Sequence, residues 1–436
     1  MSSFTDLAAG RGQVPVVTLP RVRFELDCGA HLVVSARPGA PITAVHVHVR
    51  GGRSQDALGK EGTAFLTGTL ADQGTDLHDE MGLASLLEPA GGGIRGDASG
   101  LSGAIQGDSW GLLLDTMAEV LLGAAYPAGP VKRQQQRILA RMEAQAADPH
   151  SQAARRFRAL VYGKNWLGQS VSGTVESLSS ITSADLRRHR KRHWRPERAL
   201  IAVCGDVDPE KVRRKLNRLL RSWKKGRPFK VKPLRFPKRG VRVDAFHRKR
   251  EQVHVYLGHL GIKRADPDYA ALTVMDHVLG TGPGFTNRIT RRLRDELGLA
   301  YSVQADIHSS AGTYPGTFRA YIGTSPQHLP TAVQGFMREI HRIRDEAVGE
   351  EELRVARDFV VGSFALGFER ASRRAAFLVA SELHSLPDDV LETLPKEIAT
   401  VTAEDVQRVA NQHLHPDKCC LSVAGPVRKQ DLRPLL

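Results

Sequence analysis

Histidine and cysteine are the side chains of this sequence that could bind a transition metal. His46 and His48 alternate along one predicted strand, so both imidazoles would share a face, but no third ligand lies near them in the chain. The four cysteines contain no C-x-x-C pair. Neither H-x-x-E-H nor H-E-x-x-H occurs in the chain. The sequence therefore predicts ordinary strand histidines and argues against a cysteine zinc site or a disulfide framework.

Phosphate chemistry has one candidate, the glycine triplet at residues 91–93. Such a triplet cradles phosphate when it joins a strand to the N-terminus of a helix. Here alternating, strand-like segments follow it, so a turn is the better interpretation.

The segment 62–75 is the first element that would position a site. Its apolar residues Ala64, Phe65, Leu66 and Leu70 recur at helical spacing, and Gly74 stands where a helix would stop. We expect a buried helix that ends in a glycine cap.

A long internal repeat sets the architecture. Residues 177–207 align without a gap to residues 397–427, at an offset of about 220. Thr182 and Thr402 would each cap a helix, with Asp185 and Asp405 in the first turn. Each unit mixes strands with helices, which predicts an α+β fold of two homologous domains, each an antiparallel-rich sheet with helices packed on it.

The chain length agrees with this duplication, because 436 residues are more than one hydrophobic core ordinarily holds. The composition, 41% hydrophobic and 25% charged, is that of a globular protein. A basic, proline-rich stretch separates the two units. We place the N-terminal domain at 1–225, the linker at 226–245 and the C-terminal domain at 246–436.

The formal charge of +15 is concentrated at residues 187–195 and 211–250. Solvated helix faces and an exposed linker explain most of it, and an acidic partner is the functional alternative. No recognised nucleic-acid motif accompanies the charge, so nucleic-acid binding is not expected.

With neither a signal peptide nor an apolar run of about 20 residues, we expect a cytoplasmic protein without a membrane role.

Ordered matches in both halves resemble one family. They are Gly-Thr-x-Glu-Ser-Leu at 173–178, RPERALIAVCGDV from Arg195, and VMDHVLGTGPGFTNRITRRLRDELGLAYSV at 274–303. Together they resemble the insulinase or pitrilysin-type zinc peptidases, which include the mitochondrial processing peptidase subunits. The resemblance covers nearly the full chain.

Active members of that family carry H-x-x-E-H on the first helix, where two histidines bind zinc and the glutamate is the general base. The resemblance places Phe65 and Thr69 at the two histidines and Gly68 at the glutamate. A later carboxylate ligand falls at Arg141. The chain is thus expected to hold no metal and to lack peptidase activity of its own.

The resemblance also implies residues that this chain has kept. In the family, an arginine and a tyrosine seven residues apart reach from the C-terminal domain to the substrate, and Arg294 and Tyr301 have that spacing. A guanidinium and a phenol can hold a peptide carbonyl or stabilise an oxyanion. The alternative is a local ion pair of Arg294 and a strand start at Tyr301.

Two further peptide contacts are implied. A glycine-rich loop resembles the flexible loop of noncatalytic processing-peptidase subunits, with Gly280, Gly282, Gly284 and Phe285 as candidate contacts. A plain connection between helices is the alternative. Family substrates add a strand to a sheet edge, and the matching edge would be residues 94–98.

These features predict the noncatalytic, substrate-binding subunit of a heteromeric zinc peptidase. A sibling chain would carry H-x-x-E-H and the zinc, and this chain would need no cofactor. The alternative is a stand-alone peptide-binding or structural protein, a homodimer, with no role in proteolysis. Its peptide substrate is not fixed by the sequence.

Overall fold

The computed structural model describes residues 17–238, 240–282 and 287–436, and within them it has two sheets. The first sheet has the order β1-β2-β6-β3-β5-β4. Only the pair β2–β6 is parallel. Its strands are β1 (Val22–Glu25), β2 (His31–Ala36), β3 (Ile42–Val49), β4 (Gly93–Asp97), β5 (Gly100–Gln106) and β6 (Ala199–Gly205).

The second sheet repeats this topology in the order β7-β11-β8-β10-β9. Its one parallel pair, β7–β11, corresponds to β2–β6 of the first sheet, which has β1 as an additional outer strand. Its strands are β7 (Arg242–His247), β8 (Val253–Leu260), β9 (Val303–Asp306), β10 (Thr317–Thr324) and β11 (Cys420–Gly425). The predicted α+β fold with two homologous units is confirmed.

Helices cover the sheets and fill the connections between strands. In the first half they are α1 (Thr63–Thr69), α2 (Glu80–Leu87), α3 (Trp110–Gly123), α4 (Ala128–Ala147), α5 (Pro149–Tyr162), α6 (Val175–Ser180), α7 (Ser183–His193) and α8 (Pro209–Leu219). In the second half they are α9 (Tyr269–Asp276), α10 (Arg288–Thr290), α11 (Leu329–Asp345), α12 (Glu350–Leu366), α13 (Ala371–His384), α14 (Val390–Thr400) and α15 (Ala403–His413). No helix in the described ranges is both long and apolar enough to span a bilayer.

The two predicted threonine caps are confirmed. The hydroxyl of Thr182 accepts from the N–H of Asp185, and the Asp185 carboxylate accepts from the N–H of Thr182 in return. Thr402 and Asp405 repeat this capping box at the start of α15. The match of cap to cap shows that the repeat extends to local geometry.

The opening helix is shorter than predicted. It ends at Thr69, and the N–H of Leu70 already bonds back to the carbonyls of Leu66 and Gly68. Gly74, with φ of 126°, lies beyond the turn that follows, where it pairs with Asp79 in an isolated bridge, and does not cap the helix. Glycine and threonine are weak helix formers, so the last turn of α1 has little intrinsic stability to extend it.

Each half contributes one helix to the sheet of the other half. Helix α5 packs on β7, β8 and β11, and helix α13 packs on β3 and β6. An ion pair of 2.7 Å between Arg156 and Asp244 joins α5 to β7. The exchange of these two helices fixes the two halves against each other around the space between them.

Strand β7 begins at Arg242, so the last part of the 226–245 segment belongs to the second sheet.

Candidate functional site

Helix α1 presents the three positions that would bear the zinc motif. Asp56 caps its N-terminus by accepting hydrogen bonds from the N–H groups of Gly62, at 2.9 Å, and Ala64, at 2.7 Å. Burial raises the pKa of the Asp56 carboxyl to about 6. Fully buried Leu66 anchors the opposite side of the helix in the first-half core. The helix is therefore fixed in position without any metal.

Gly68, the predicted counterpart of the catalytic glutamate, lies against the backbone of β4. A Cβ atom built there would be 1.6 Å from the carbonyl oxygen of Asp97. The reverse holds at Gly96, where a Cβ would be 2.1 Å from the carbonyl oxygen of Gly68. Two glycines thus let the helix and the strand touch backbone to backbone. The volume that a glutamate side chain needs is filled by the strand.

The other three positions do not fit zinc either. The half-buried Phe65 ring packs against the first-half core. The hydroxyl of Thr69 donates to the carbonyl of Phe65. Arg141 lies on an exposed part of α4 and would repel a dication. A phenyl ring, an absent side chain, a hydroxyl bonded to its own helix and a guanidinium offer no ligand set for zinc.

A cavity of about 730 Å³ opens beside Phe65, between the two halves. Its aromatic lining comes from Phe65, Tyr162, Trp166, Phe229 and Tyr314. Trp166 and Tyr314 stand edge to face with ring centroids 5.4 Å apart. The guanidinium of Arg53 lies 4.9 Å from the centre of the Trp166 ring. First half, linker and second half thus share one aromatic wall.

The rim of this cavity combines charged side chains with the end of an outer strand. Strand β4 is the outermost strand of the first sheet, as predicted for the 94–98 region. Its end, Asp97, lines the cavity, as do His48, Arg50 and Glu382. An outer strand has unpaired N–H and C=O groups that can pair with an added strand. The arrangement could hold an extended peptide, with side chains reaching the aromatic wall.

Arg294 and Tyr301 are brought together by the second half. The guanidinium of Arg294 lies 5.2 Å from the centre of the Tyr301 ring, a cation–π distance. The Tyr301 side chain is 89% exposed. Neither residue is among those that line the 730 Å³ cavity as the described ranges form it. The pair is therefore assembled and accessible, but it stands apart from the Phe65 wall.

The glycine-rich loop is only partly described. Gly280 packs on β9, because a Cβ there would be 2.5 Å from the N atom of Ala305. A Cβ at Gly282 would be 2.5 Å from the carbonyl oxygen of His277. Both glycines thus have close backbone neighbours. Gly284 and Phe285 lie outside the described residues.

One cluster of potential metal ligands occurs in the described ranges, formed by Asp266, Asp268 and His413. Asp268 already bonds to His413 at 2.7 Å and to Arg408 at 2.8 Å. The cluster ties α15 to the start of α9, and the arginine supplies the balancing charge. We interpret it as a structural ion-pair group.

Comparison with known proteins finds relatives among the M16 peptidases. The family described as "Peptidase M16 inactive domain" matches residues 180–359. An uncharacterized zinc protease from Streptomyces coelicolor is 25% identical over 429 residues, covering 96% of this chain and 91% of the relative. One from Mycobacterium tuberculosis is 26% identical over 423 residues, covering 94% of each chain. The chain is thus similar to M16, or insulinase-type, peptidases: its middle part matches the family model, and nearly its whole length aligns with these relatives.

A solved M16 inactive domain from Pseudomonas fluorescens shares the fold. Its TM-score is 0.85 at 24% identity, and the match covers 94% of this chain and 99% of the other. The agreement runs through both halves, so the chain shares the fold of that protein over nearly its whole length. Its own sequence contains no H-x-x-E-H.

Sequence reasoning missed the aromatic wall. Trp166 lies in a short connection and Phe229 in the basic linker, and neither belongs to a periodic pattern. The one signal in the sequence was Phe229, an isolated aromatic residue in a charged, proline-rich stretch. A ring in such a stretch is shielded from water only if it packs against another part of the protein. Its partners could not be identified from the chain, because the wall is built from four segments that lie far apart in the sequence.

Proposed function

We propose that this M16 homologue is the noncatalytic, peptide-binding subunit of a heteromeric zinc peptidase. One observation carries the proposal: at Gly68 the backbone of β4 fills the place of the general base, directly beside a cavity that can hold peptide. The chain has exchanged hydrolytic chemistry for close packing and has kept a surface for substrate.

The peptide-binding part rests on the cavity and its strand edge. The aromatic wall suits apolar side chains, which bury well against large flat rings. The outer edge of β4 suits the peptide main chain, because it can supply ladder hydrogen bonds without reading sequence. A site of this kind prefers unfolded segments with bulky apolar residues. Arg53 and Glu382 at the rim would orient a charged residue of the peptide.

The subunit part rests on Arg294 and Tyr301. This pair is accessible and stands outside the chain's own cavity. Such a placement serves a substrate held by another chain better than one held at Phe65. We infer that a sibling with H-x-x-E-H supplies the zinc and that Arg294 donates to the peptide carbonyl there.

The test combines this chain with an H-x-x-E-H relative from the same cell and follows cleavage of an unstructured peptide. We expect the pair to cleave faster than the relative alone. Arg294→Ala with Tyr301→Phe should lower the pair's activity by about tenfold or more, the loss of one charged hydrogen bond. Arg291→Ala, an exposed arginine of the same helical segment, is the matched control. Failure to associate, or unchanged activity in the double variant, refutes the subunit role.

A second function has one observation in its favour. The 730 Å³ cavity is complete within a single chain, so peptide binding needs no sibling. A stand-alone peptide-binding protein, as monomer or homodimer, would use it alone. Fluorescence titration of the isolated chain with an apolar peptide tests peptide binding separately from the subunit role. Trp166→Ala should weaken this binding, whatever the result of the activity assay.

A further inference from the structure

A second cavity, of about 530 Å³, lies wholly in the second half. It is separated from the first by the end of α13: Leu383 lines the first cavity, whereas Phe377 and Ala380 line the second. Its volume is in the range of about 300–1,000 Å³ that small-molecule sites occupy. Nothing in the proposed peptidase role uses it.

The body of this cavity is apolar. Rings and branched side chains from three helices surround it, namely Phe364 and Phe368 near the end of α12, Phe377 of α13, and Leu394 and Ile398 of α14. Phe368 packs on Phe364 at 5.1 Å and on Phe377 at 5.0 Å between ring centroids. Such a wall accepts an alkyl or aryl group.

One end of the cavity is basic. The guanidinium of Arg264 stacks on the ring of Tyr269, 3.7 Å from its centre. In the described ranges it forms no ion pair with a carboxylate. Burial lowers the pKa of Arg264, the cost of holding its charge away from water. A half-buried cation without a counter-ion is costly, and an anionic ligand would supply the balancing charge.

His308 stands beside this arginine and is prepared as a donor. The carboxylate of fully buried Asp276 accepts from His308 Nδ1 at 2.5 Å and from the backbone N–H groups of Ile307 and His308. Burial lowers the pKa of His308, but the hydrogen bond and charge of Asp276 outweigh it and the net shift is upward. With Nδ1 engaged, Nε2 is the nitrogen left for a ligand.

The lining contains no aspartate or glutamate among the described residues. It does contain Arg264, Arg373, His277 and His308. His277 has its Nδ1 bonded to the carbonyl of Thr273 at 2.8 Å, so its other nitrogen is also available. Donors at one end and an apolar body at the other define the ligand's chemistry.

We propose that this cavity binds a small carboxylate with an apolar body. Its carboxylate pairs with Arg264 and accepts from His308, and its body packs among the phenylalanines. The same chemistry is found in a free acid, such as a medium-chain fatty acid, and in the C-terminal carboxylate of an apolar peptide.

Calorimetric titration of the full-length chain with octanoate tests the site. We expect saturable one-to-one binding, with octanamide binding at least about tenfold more weakly because it cannot pair with the guanidinium. Arg264→Gln should weaken octanoate by a similar factor. Lys263→Gln, its exposed neighbour outside the lining, is the control and should change nothing. A peptide ending in Leu-Leu, as free acid and as amide, distinguishes the two sources.

Binding of the peptide acid but not octanoate would support the site and assign it to peptide C-termini. Failure of both acids to bind overturns the proposal. Equal binding of octanoate and octanamide, or equal binding by Arg264→Gln and the wild type, also overturns it, since the cavity would then be a plain apolar void. Should Arg264→Gln melt at a lower temperature, Ala376→Phe decides the matter: it fills the cavity from α13 and must abolish binding. None of these outcomes depends on the zinc-peptidase assay.

Discussion

Replacing Gly68 by alanine should destabilise the protein, although alanine is the better helix former. The new Cβ would lie 1.6 Å from the carbonyl oxygen of Asp97 and 2.4 Å from its carbonyl carbon. Unstrained contacts of this kind are about 3.5 Å, so α1 and β4 must separate by about 2 Å. The obstacle is backbone within a paired sheet and cannot rotate away. Overpacking costs about 1–3 kcal/mol, and the helix propensity returns about 1 kcal/mol at most.

We therefore expect Gly68→Ala to lose about 2 kcal/mol of unfolding free energy, taken from the upper end of that range. Urea denaturation followed by circular dichroism measures the change. Gly362→Ala is the matched control, because Gly362 is also helical and nothing lies within 4 Å of the point that its Cβ would occupy. The control should gain up to about 1 kcal/mol. If the two variants shift stability in the same direction, the helix and the strand are not in tight contact at Gly68.

Three further outcomes follow from the structure. Rebuilding the motif as Phe65→His, Gly68→Glu and Thr69→His should not give stoichiometric zinc by elemental analysis, because a side chain at position 68 would collide with β4 and displace the helix that carries both histidines, and because Arg141 stands at the third ligand position; tight zinc binding with chelator-sensitive cleavage would contradict this. Burial lowers the pKa of His189 to about 3, so between about pH 6.5 and that value protonation of the unfolded chain costs up to about 1.4 kcal/mol of stability per pH unit; His189→Gln should flatten the decline on acidification, and parallel pH–stability curves would refute it. Thr402→Ala should cost about 1 kcal/mol in urea unfolding by removing the cap of α15, and an unchanged midpoint would show that the cap is dispensable.

The local signals in the sequence are sufficient for the duplicated fold. Thr182 and Thr402 cap their helices as predicted, because a capping box depends on residues three apart. The strand edge at residues 94–98 is also predicted, through the family resemblance. Helix α1 is shorter than its pattern predicts, since its end depends on the weak propensities of Gly68 and Thr69 more than on Gly74.

The features on which the proposed function rests are tertiary and could not be predicted in this way. The contact of Gly68 with Gly96 joins residues whose meeting depends on how a helix lies across a sheet. The exchange of α5 and α13 between halves, and both cavities, arise from segments far apart in the chain. The basic linker has the composition of a solvated spacer, yet its Phe229 is part of a cavity wall. Periodicity reports which side of an element is buried, but not what it is buried against.

The proposed subunit role is tested most sharply by a reconstitution in which zinc content and peptide cleavage are measured together. The purified chain alone should hold far less than one zinc per molecule and cleave nothing. With an H-x-x-E-H sibling it should form a complex whose zinc and activity are removed by mutating the sibling's motif, and whose activity falls with Arg294→Ala and Tyr301→Phe. Stoichiometric zinc and chelator-sensitive cleavage by the chain alone would contradict the proposed role.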